Sequence, residues 1–269
     1  MTARTGDNTA FLSTLANGLI VLEALVGSPM ALRELAEAVG LPRQKTYRIV
    51  HTLIQTGWVD RSPSEDTYSL SPRMWSLGTR SFGLTGLRNA LAPTVRALSA
   101  EYGETVHLAV YDRGSVVYVD KEEGSHPIHS YTRLGGTAPA YCVATGKILL
   151  AHQTPEEWDA VAKGGMQPYT PVTIVEKDAL FKELTEVRSR GYAVNRGEWR
   201  KGVAGVAVPI CSPTGDVIAG LGFSGPADRL LLQQEQLVAA LHSSAHLAGV
   251  QPTHNTRPYT SLSTPEPTG

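Results

Sequence analysis

Residues 41–58 read LPRQKTYRIVHTLIQTGW, and this stretch decides the fold of the first part of the chain. On a helix at 100° per residue, its apolar and polar side chains separate onto opposite faces. The apolar face contains Thr46, Tyr47, Ile49, Val50, Leu53 and Ile54. The polar face contains Gln44, Lys45, Arg48, His51, Thr52 and Gln55. Pro42 suits the first helical turn and Gly57 the position just past the last one, so we predict a bounded amphipathic helix.

The polar face of this helix has the chemistry of a DNA-reading surface. The segment contains no acid, and Arg43, Lys45 and Arg48 supply cations. Arg48 and Gln44 can each form two hydrogen bonds with a guanine or adenine edge, whereas a lysine suits a phosphate. From this segment alone, a solvated helix face is the alternative interpretation.

The flanking residues favour DNA binding. The periodicity predicts a helix over residues 11–26 and a short helix over 32–39 before the basic helix, and hairpin strands over 58–60 and 67–70 after it. A helix-turn-helix followed by a hairpin is a winged helix, which we predict for residues 11–72. Arg61, near the tip of the wing, would meet a phosphate or the minor groove. The side chains predicted to enter the major groove are Arg43, Gln44, Lys45, Thr46 and Arg48.

The charge of this part of the chain limits how strongly one copy can bind DNA. Residues 1–73 contain seven Lys+Arg and seven Asp+Glu, and the whole chain has a net charge of −1. Binding must therefore come from local placement and should be modest per subunit. We expect a homodimer that reads an inverted repeat in double-stranded operator DNA, with half-sites about one helical turn or a multiple apart. A winged helix used only for protein contact is the alternative.

Composition places the chain among globular proteins of two domains. It has 269 residues, of which 42% are hydrophobic and 18% charged. Its two cysteines, Cys142 and Cys211, make no disulfide framework, which favours a reducing compartment. The N-terminus lacks the apolar region of a signal peptide, and no apolar run approaches the ~20 residues of a membrane span. We therefore expect a cytoplasmic protein without a membrane partner, with disordered ends over 1–10 and 251–269.

The second part of the chain has the pattern of an α+β domain, predicted for residues 88–250. A linker helix over 73–87 precedes it, and its apolar groups indicate either a dimer contact or packing on its own domain. Predicted helices cover 88–102, 143–152, 176–190 and 226–249, and a capped helix starts at Thr154. Predicted strands cover 105–111, 116–121, 128–133, 205–211 and 217–224. Antiparallel hairpins flanked by helices give the α+β class.

From about Leu12 to Gly249 the order of features resembles the IclR family of bacterial transcriptional regulators. The runs that carry the resemblance are LRELAEAVGLPRQKTYRIVHTLIQTGWV, GETVHLAVYDRGSVVYVDK, RLGGTAPAYCVATGKILLA, GYAVNRGEWRKGVAGVAVPI and GLGFSGP. The resemblance implies a GAF-like effector-binding domain, homodimers or dimers of dimers, and a small, often carboxylate, metabolite as effector. It implies no catalytic activity.

The resemblance also implies a set of effector-binding positions: Ser130, Ala138, Ala144, Thr145, Asn195, Val203, Gly205, Gly222 and Ser224. Residues 144–146 open a predicted helix, whose N–H groups can hold a carboxylate without a cation. Family members that bind two- or three-carbon oxoacids are larger where Ser130, Ala138, Gly205 and Gly222 stand. The smaller residues here favour an aromatic acid, with Tyr131, Tyr141 and Trp199 as stacking faces. The alternative is that larger residues elsewhere refill the space.

Several motifs that could carry other chemistry are weak in this sequence. GLGFSG at 220–225 lacks the second parallel strand of a dinucleotide site. Lys147 lies in a run that lacks P-loop residues and is expected to pair with a carboxylate. His242 and His246 lie four residues apart on a predicted helix but lack a third metal ligand, and Cys142 lacks a well-placed base. His126 and His129 could hold a metal or hydrogen-bond a ligand, and the favoured alternative is that they are loop histidines without such a role. Glu198 is interpreted as part of an ion pair. We therefore predict no catalytic residue, metal or cofactor, and the alternative is an enzyme whose winged helix serves assembly.

Overall fold

The computed structural model describes residues 12–81, 84–126 and 132–247. The chain divides into two compact units, with the boundary in the sequence between residues 82 and 83. The expected disorder of 1–10 and 251–269 lies outside the described residues, and so does most of the strand expected over 128–133. Among the described residues, no helix combines the length and apolar character that a membrane span requires.

The first unit is a winged helix-turn-helix. Its helices are α1 Ser13–Ala24, α2 Leu32–Ala38, α3 Arg43–Gln55 and α4 Pro72–Ser81. Its strands are β1 Met30–Ala31, β2 Val59–Ser62 and β3 Thr67–Leu70, in the order β1-β3-β2. Its core is made by Val21, Leu25, Leu35, Ile49, Val50, Val59 and Tyr68. The sequence did not predict β1, because two residues show no alternation.

Helix α3 ends in a motif that the sequence encodes locally. Gly57 adopts a φ of +79°, and its N–H donates to Ile54 O at 2.9 Å. The Trp58 N–H donates to Leu53 O at 2.8 Å, which completes a Schellman motif. Helix α4 is tied to the same end, because Arg73 donates to Thr56 O at 2.6 Å and lies over the Trp58 ring. The end of α3 and the start of α4 therefore form one packed corner.

The second unit is an α+β domain around a six-stranded antiparallel sheet. Its strands are β4 Thr105–Asp112, β5 Ser115–Glu122, β6 Thr137–Pro139, β7 Ala193–Arg196, β8 Val203–Cys211 and β9 Val217–Pro226. The order across the sheet is β6-β5-β4-β9-β8-β7. The helices are α5 Leu84–Tyr102, α6 Ala144–Ala151, α7 Pro155–Lys163, α8 Lys177–Arg190, α9 Ala227–Leu232 and α10 Gln234–Leu247.

Helices cover both faces of this sheet. One core joins the sheet to α5, α9 and α10, and the other joins it to α6 and α8. Because both faces are covered, the side chains of β8 are buried along most of its length, which explains its continuous apolar sequence. Helix α6 lies against β4, β8 and β9 and is buried along its whole length.

Several elements differ from the sequence-based prediction. Helix α5 starts at Leu84 rather than at 88, so Leu87 packs in the core of the second unit instead of extending the linker helix. The predicted last helix is two helices, separated at Gln233. Strands β6 and β7 were not predicted, because each has only three or four residues and depends on pairing with a neighbour.

Candidate functional site

Helix α3 presents a basic, exposed face. The side chains of Arg43, Gln44, Lys45 and Arg48 are all exposed, as the sequence analysis predicted for a recognition helix. Ile49 and Val50, on the opposite face, are buried against α1 and the sheet. The helix is held by this apolar face, which leaves the basic face available to a partner.

The structure corrects one residue of the predicted DNA-reading set. Thr46 is fully buried, and its hydroxyl donates to Pro42 O at 3.2 Å. Its side chain therefore cannot reach a base edge. Tyr47, assigned to the apolar face, is 50% exposed and lies beside the ring of His51. The helical wheel placed Thr46 on the apolar face, so its burial agrees with the wheel and only its assignment to the DNA-reading set is wrong. The wheel fails at Tyr47, which lies at the border between the two faces.

Arg61 lies on the wing as predicted, but it has a partner that the sequence did not indicate. Its Nη2 and Nε both donate to Asp66 Oδ1, at 2.7 and 3.2 Å. These hydrogen bonds, together with the carboxylate charge, raise the pKa of Arg61 above its usual value. Both side chains are more than half exposed, so the pair contributes little to stability.

An open depression of about 620 Å³ lies between helix α3 and the wing. Its lining consists of Leu32, Arg43, Gln44, Tyr47, Arg61, Asp66 and Tyr68. The depression brings two of the five predicted groove-contacting residues, Arg43 and Gln44, and the predicted wing contact Arg61 to one concave surface.

A second cavity, in the C-terminal unit, brings together six of the nine predicted effector positions. These six are Ala144, Thr145, Asn195, Val203, Gly205 and Ser224. The cavity lies where the N-terminus of α6 approaches β8 and β9. No acidic side chain lines it, and Arg200 is its one cationic lining residue among those described.

The other three predicted positions do not line this cavity. Ser130 and the proposed stacking residue Tyr131 lie outside the described residues. Ala138 is buried in the core, paired with Val116 across β5 and β6. Gly222 lies in β9, where a Cβ would approach Val206 O to 2.6 Å, so the absence of a side chain accommodates the neighbouring strand. The small size of Ala138 and Gly222 therefore opens no space for a ligand.

Gly205 has different surroundings, because it lies against the backbone of β9 and beside the start of helix α6. A Cβ at this position would lie 3.0 Å from Phe223 O and 3.5 Å from the Cβ of Ala144. The cavity measures only about 30 Å³, whereas benzene fits an engineered cavity of about 150 Å³. The prediction of an enlarged pocket is therefore wrong for this conformation, in which Trp199 and Arg200 occupy part of the wall.

Three polar side chains on the cavity wall were not predicted from the sequence. They come from β4, β5 and the segment before β6. His107, Tyr118 and Thr132 line the cavity, and the His107 ring is within hydrogen-bond distance of the Thr132 hydroxyl. Burial, with a smaller effect from Lys121, lowers the pKa of His107 to about 3, so His107 is neutral. Burial raises the pKa of Tyr118 to about 12. Only strand pairing brings these residues together, so spacing along the chain gave no signal.

Asn195 lines the cavity with its carbonyl already engaged. Its Oδ1 accepts hydrogen bonds from the Gly197 and Glu198 N–H groups, at 3.0 and 2.8 Å. Its NH2 group is the end that a ligand would use, and it can only donate. Tyr141, proposed as a stacking face, does not line the cavity and instead bonds the backbone of Gln167.

A buried ion pair lies behind the cavity. Lys147 Nζ lies 2.6 Å from Glu198 Oε2 and 3.5 Å from Glu183 Oε1, and it donates to Val194 O at 3.2 Å. The sequence predicted that Lys147 pairs with a carboxylate and that Glu198 belongs to an ion pair, and in the structure these two residues pair with each other.

Burial raises the pKa of the Cys142 thiol to about 12, which makes it a poor nucleophile. Within the described residues, no group of three or more His, Cys, Asp or Glu side chains could hold a metal ion.

Comparison with known proteins decides the class to which this arrangement belongs. Residues 80–248 match the family described as bacterial transcriptional regulator IclR C-terminal, and residues 14–63 match the IclR helix-turn-helix domain. The chain belongs to the IclR family of bacterial transcriptional regulators. Members of this family are regulators and not enzymes, so the alternative of a small-molecule-converting enzyme is set aside.

Relatives of this IclR-family regulator cover nearly its whole length. The HTH-type transcriptional regulator KdgR of Escherichia coli (strain K12) is 31% identical over 86% of this chain and 88% of its own. The Transcriptional repressor IclR of the same organism is 28% identical over 84% of each chain. The solved structure of an IclR homolog complexed with 4-hydroxybenzoate, from Microbacterium hydrocarbonoxydans, superposes with a TM-score of 0.77 at 25% identity. It covers 88% of this chain and 97% of that one.

Proposed function

We propose that this IclR-family regulator binds operator DNA under the control of an aromatic carboxylic acid that enters the cavity at the N-terminus of α6. The observation that carries the proposal is the lining of that cavity. Thr145 and the first N–H groups of α6 meet Ser224 and the Asn195 amide in a space without acids. Such a set of donors suits a carboxylate, and the helix N-terminus adds a favourable potential.

The rest of the lining supports an aromatic ring on that acid. Tyr118, Trp199 and Phe223 present ring surfaces, while Val143 and Val203 add apolar contacts. The neutral His107 and the Thr132 hydroxyl form a polar pair on the wall, which suits a ring that carries a hydroxyl group. The homolog that was solved with 4-hydroxybenzoate is a relative with such a ligand.

An acid of this size requires the cavity to expand, and we propose that the Trp199–Arg200 segment of the wall is displaced to allow it. Trp199 and Arg200 lie in the loop between β7 and β8, with the Arg200 guanidinium 4.5 Å from the centre of the Trp199 ring. Gly197 and Gly202, on either side, have φ values of +87° and +77°. Rotation of the Trp199–Arg200 segment about these glycines would open the cavity, and Arg200 would then approach the carboxylate.

For DNA, we propose that Arg43, Gln44, Lys45 and Arg48 read the major groove and that Arg61 contacts the backbone. The exposure of all five side chains supports this assignment. The near-balanced charge of the first 73 residues supports a dimer on an inverted repeat, since one copy offers few phosphate contacts. Acid binding would shift the population of dimer geometries that match the half-site spacing.

A thermal-shift titration tests the effector assignment. 4-Hydroxybenzoate, benzoate, pyruvate and glyoxylate are added to the full-length protein over a concentration series. The aromatic acids should raise the melting temperature, because a ligand stabilises the folded state in proportion to RT ln(1 + [L]/Kd). Thr145→Val should abolish this shift, whereas Thr214→Val, in the exposed turn between β8 and β9, should retain it. Stabilisation by pyruvate or glyoxylate alone would contradict the proposal.

A further inference from the structure

The depression between α3 and the wing has cations on opposite walls and a single acid among its described lining residues. Arg43 belongs to the first turn of α3, and Arg61 belongs to β2. Asp66 is the acid, and both hydrogen bonds from Arg61 converge on its Oδ1. Two N–H donors of Arg61 thus hold one anionic oxygen, and a phosphate also presents anionic oxygens that a guanidinium group can bind.

Asp66 is held in this place by the turn of the wing. It has a φ of +50°, a left-handed conformation that Asp and Asn adopt more readily than other side chains. The side chain is 74% exposed, so water competes for its carboxylate and the contact with Arg61 can be exchanged at low cost. The pair therefore orients the Arg61 side chain, but the contact can still be replaced by another anion.

We propose that this depression is a seat for a DNA backbone phosphate, and that Asp66 takes the place of that phosphate in the free protein. Arg61 exchanges the Asp66 oxygen for a phosphate oxygen when DNA arrives, and Arg43 approaches the phosphate from the other wall. Tyr47 is a third contact, because its side chain lines the depression and is half exposed. The inference rests on the proposed binding of DNA by α3 and the wing, and it assigns new roles to Asp66 and Tyr47.

The role of Asp66 is to weaken non-specific binding. A bound phosphate would lie close to the Asp66 carboxylate, and the two negative charges repel. Asp66→Asn removes this repulsion, keeps the shape of the side chain and tolerates the positive φ. We expect it to raise the affinity for duplex DNA of any sequence by about two- to fivefold per subunit, the scale of one exposed charge pair. The slope of log K against log salt should steepen by up to about 0.9 per subunit, as for one added phosphate contact.

The test is fluorescence anisotropy of the full-length protein with labelled 30-base-pair duplexes of random sequence, between about 50 and 200 mM salt. Asp60→Asn is the matched control, since it makes the same change in net charge at an exposed position of β2 outside the depression. Asp66→Asn should bind more tightly than Asp60→Asn. The double variant Arg61→Ala with Asp66→Asn should lose that gain, because Asp66 acts through Arg61. Tyr47→Phe should bind less tightly than the wild type.

Two results would overturn the inference. One is an equal affinity of Asp66→Asn and Asp60→Asn for DNA, which would mean that only the change in net charge matters and not the position of Asp66. The other is a gain that persists in the double variant, which would mean that Asp66 does not act on Arg61. Lys45→Ala separates this failure from failure of the proposed function, because Lys45 is the exposed cation of α3 that suits a phosphate in DNA of any sequence. If Lys45→Ala weakens binding while Asp66→Asn matches Asp60→Asn, only the phosphate seat is wrong. If Lys45→Ala has no effect, the placement of α3 on DNA is wrong as well.

Discussion

Lys147 carries its charge in a place where water cannot reach it. The side chain is 2% exposed, and Glu198, its partner at 2.6 Å, is 7% exposed. Removing one member of such a pair leaves a buried charge without compensation, which costs more than the pair contributes. The pair also joins α6 to the loop that carries Trp199, so it holds two walls of the cavity together.

Lys147→Met should therefore lower the free energy of unfolding by about 3–5 kcal/mol. Urea denaturation of the full-length protein measures this through the transition of the C-terminal domain. Lys163→Met is the control, because Lys163 is 76% exposed and its partner Asp159 keeps a second cation, Lys177. It should change the free energy of unfolding by less than about 1 kcal/mol. Equal effects of the two variants would show that the Lys147 pair is not buried in solution.

His107 makes the stability of the domain depend on pH. Burial, with a smaller effect from Lys121, lowers its pKa to about 3 in the folded state, whereas an unfolded histidine has a pKa near 6.5. As the pH falls, the unfolded chain binds the proton first, so stability is complete above about pH 6.5 and declines toward pH 3.

Between pH 7 and pH 5, His107 should account for a loss of about 2 kcal/mol in the free energy of unfolding. Over this interval the free energy of unfolding of His107→Gln should fall by about 2 kcal/mol less than that of the wild type. Paired urea titrations of both proteins at the two pH values provide the measurement. An identical loss in both would mean that His107 is not buried as a neutral ring.

At the scale of elements, β9 is the strand on which the geometry of the cavity depends. It pairs with β4 on one side and β8 on the other, and it passes beneath α6. Gly222 pairs with Ala207 across β9 and β8, whereas Gly205, two residues earlier in β8, pairs with Ser224. The Cβ of an alanine at 222 would collide with backbone at 2.6 Å, whereas one at 205 would approach Phe223 O at 3.0 Å.

Gly222→Ala should therefore destabilise the domain by about 1–3 kcal/mol, the usual cost of overpacking a core. Gly205→Ala should cost less stability, but it should weaken binding of aromatic acids because its methyl group points toward Ala144 at the start of α6. Thermal melting with and without 4-hydroxybenzoate separates the two effects. The interpretation fails if Gly205→Ala destabilises the protein more than Gly222→Ala does.

At the scale of the whole molecule, the proposed regulation would require the acid to alter how two copies of α3 meet DNA. Within the N-terminal unit, the contact of Arg73 with Thr56 O and the Trp58 ring makes α4 an extension of the end of α3. A change in the direction of α4 would thus be passed to the recognition helix.

Selection of duplexes from a random pool by the full-length protein should yield sequences with two-fold symmetry. Their half-sites should be about one helical turn or a multiple apart, as expected for a symmetric dimer. Repeating the selection with 4-hydroxybenzoate present should change the yield of bound duplex without changing the half-site sequence. A single, asymmetric site in the selected pool would contradict the dimer.

The sequence by itself determined the elements whose stability is local. The Schellman end of α3 at Gly57, the capped start of α7 at Thr154 and the β4–β5 hairpin were all predicted, because each depends on residues a few positions apart. The separation of apolar and basic faces on α3 was predicted for the same reason. The resemblance to the IclR family, together with these elements, was sufficient to indicate a DNA-binding regulator.

Only the tertiary structure decided which side chains share a surface. Strand pairing and the segment before β6 bring His107, Tyr118 and Thr132 to the cavity, and the packing of α6 buries Lys147 against Glu198. The exposure of Tyr47, which the helical wheel placed on the apolar face, likewise depends on what packs against α3. Contacts of this kind join residues that are distant in the chain, and their free energy comes from burial and charge pairing that exist only after the chain has folded.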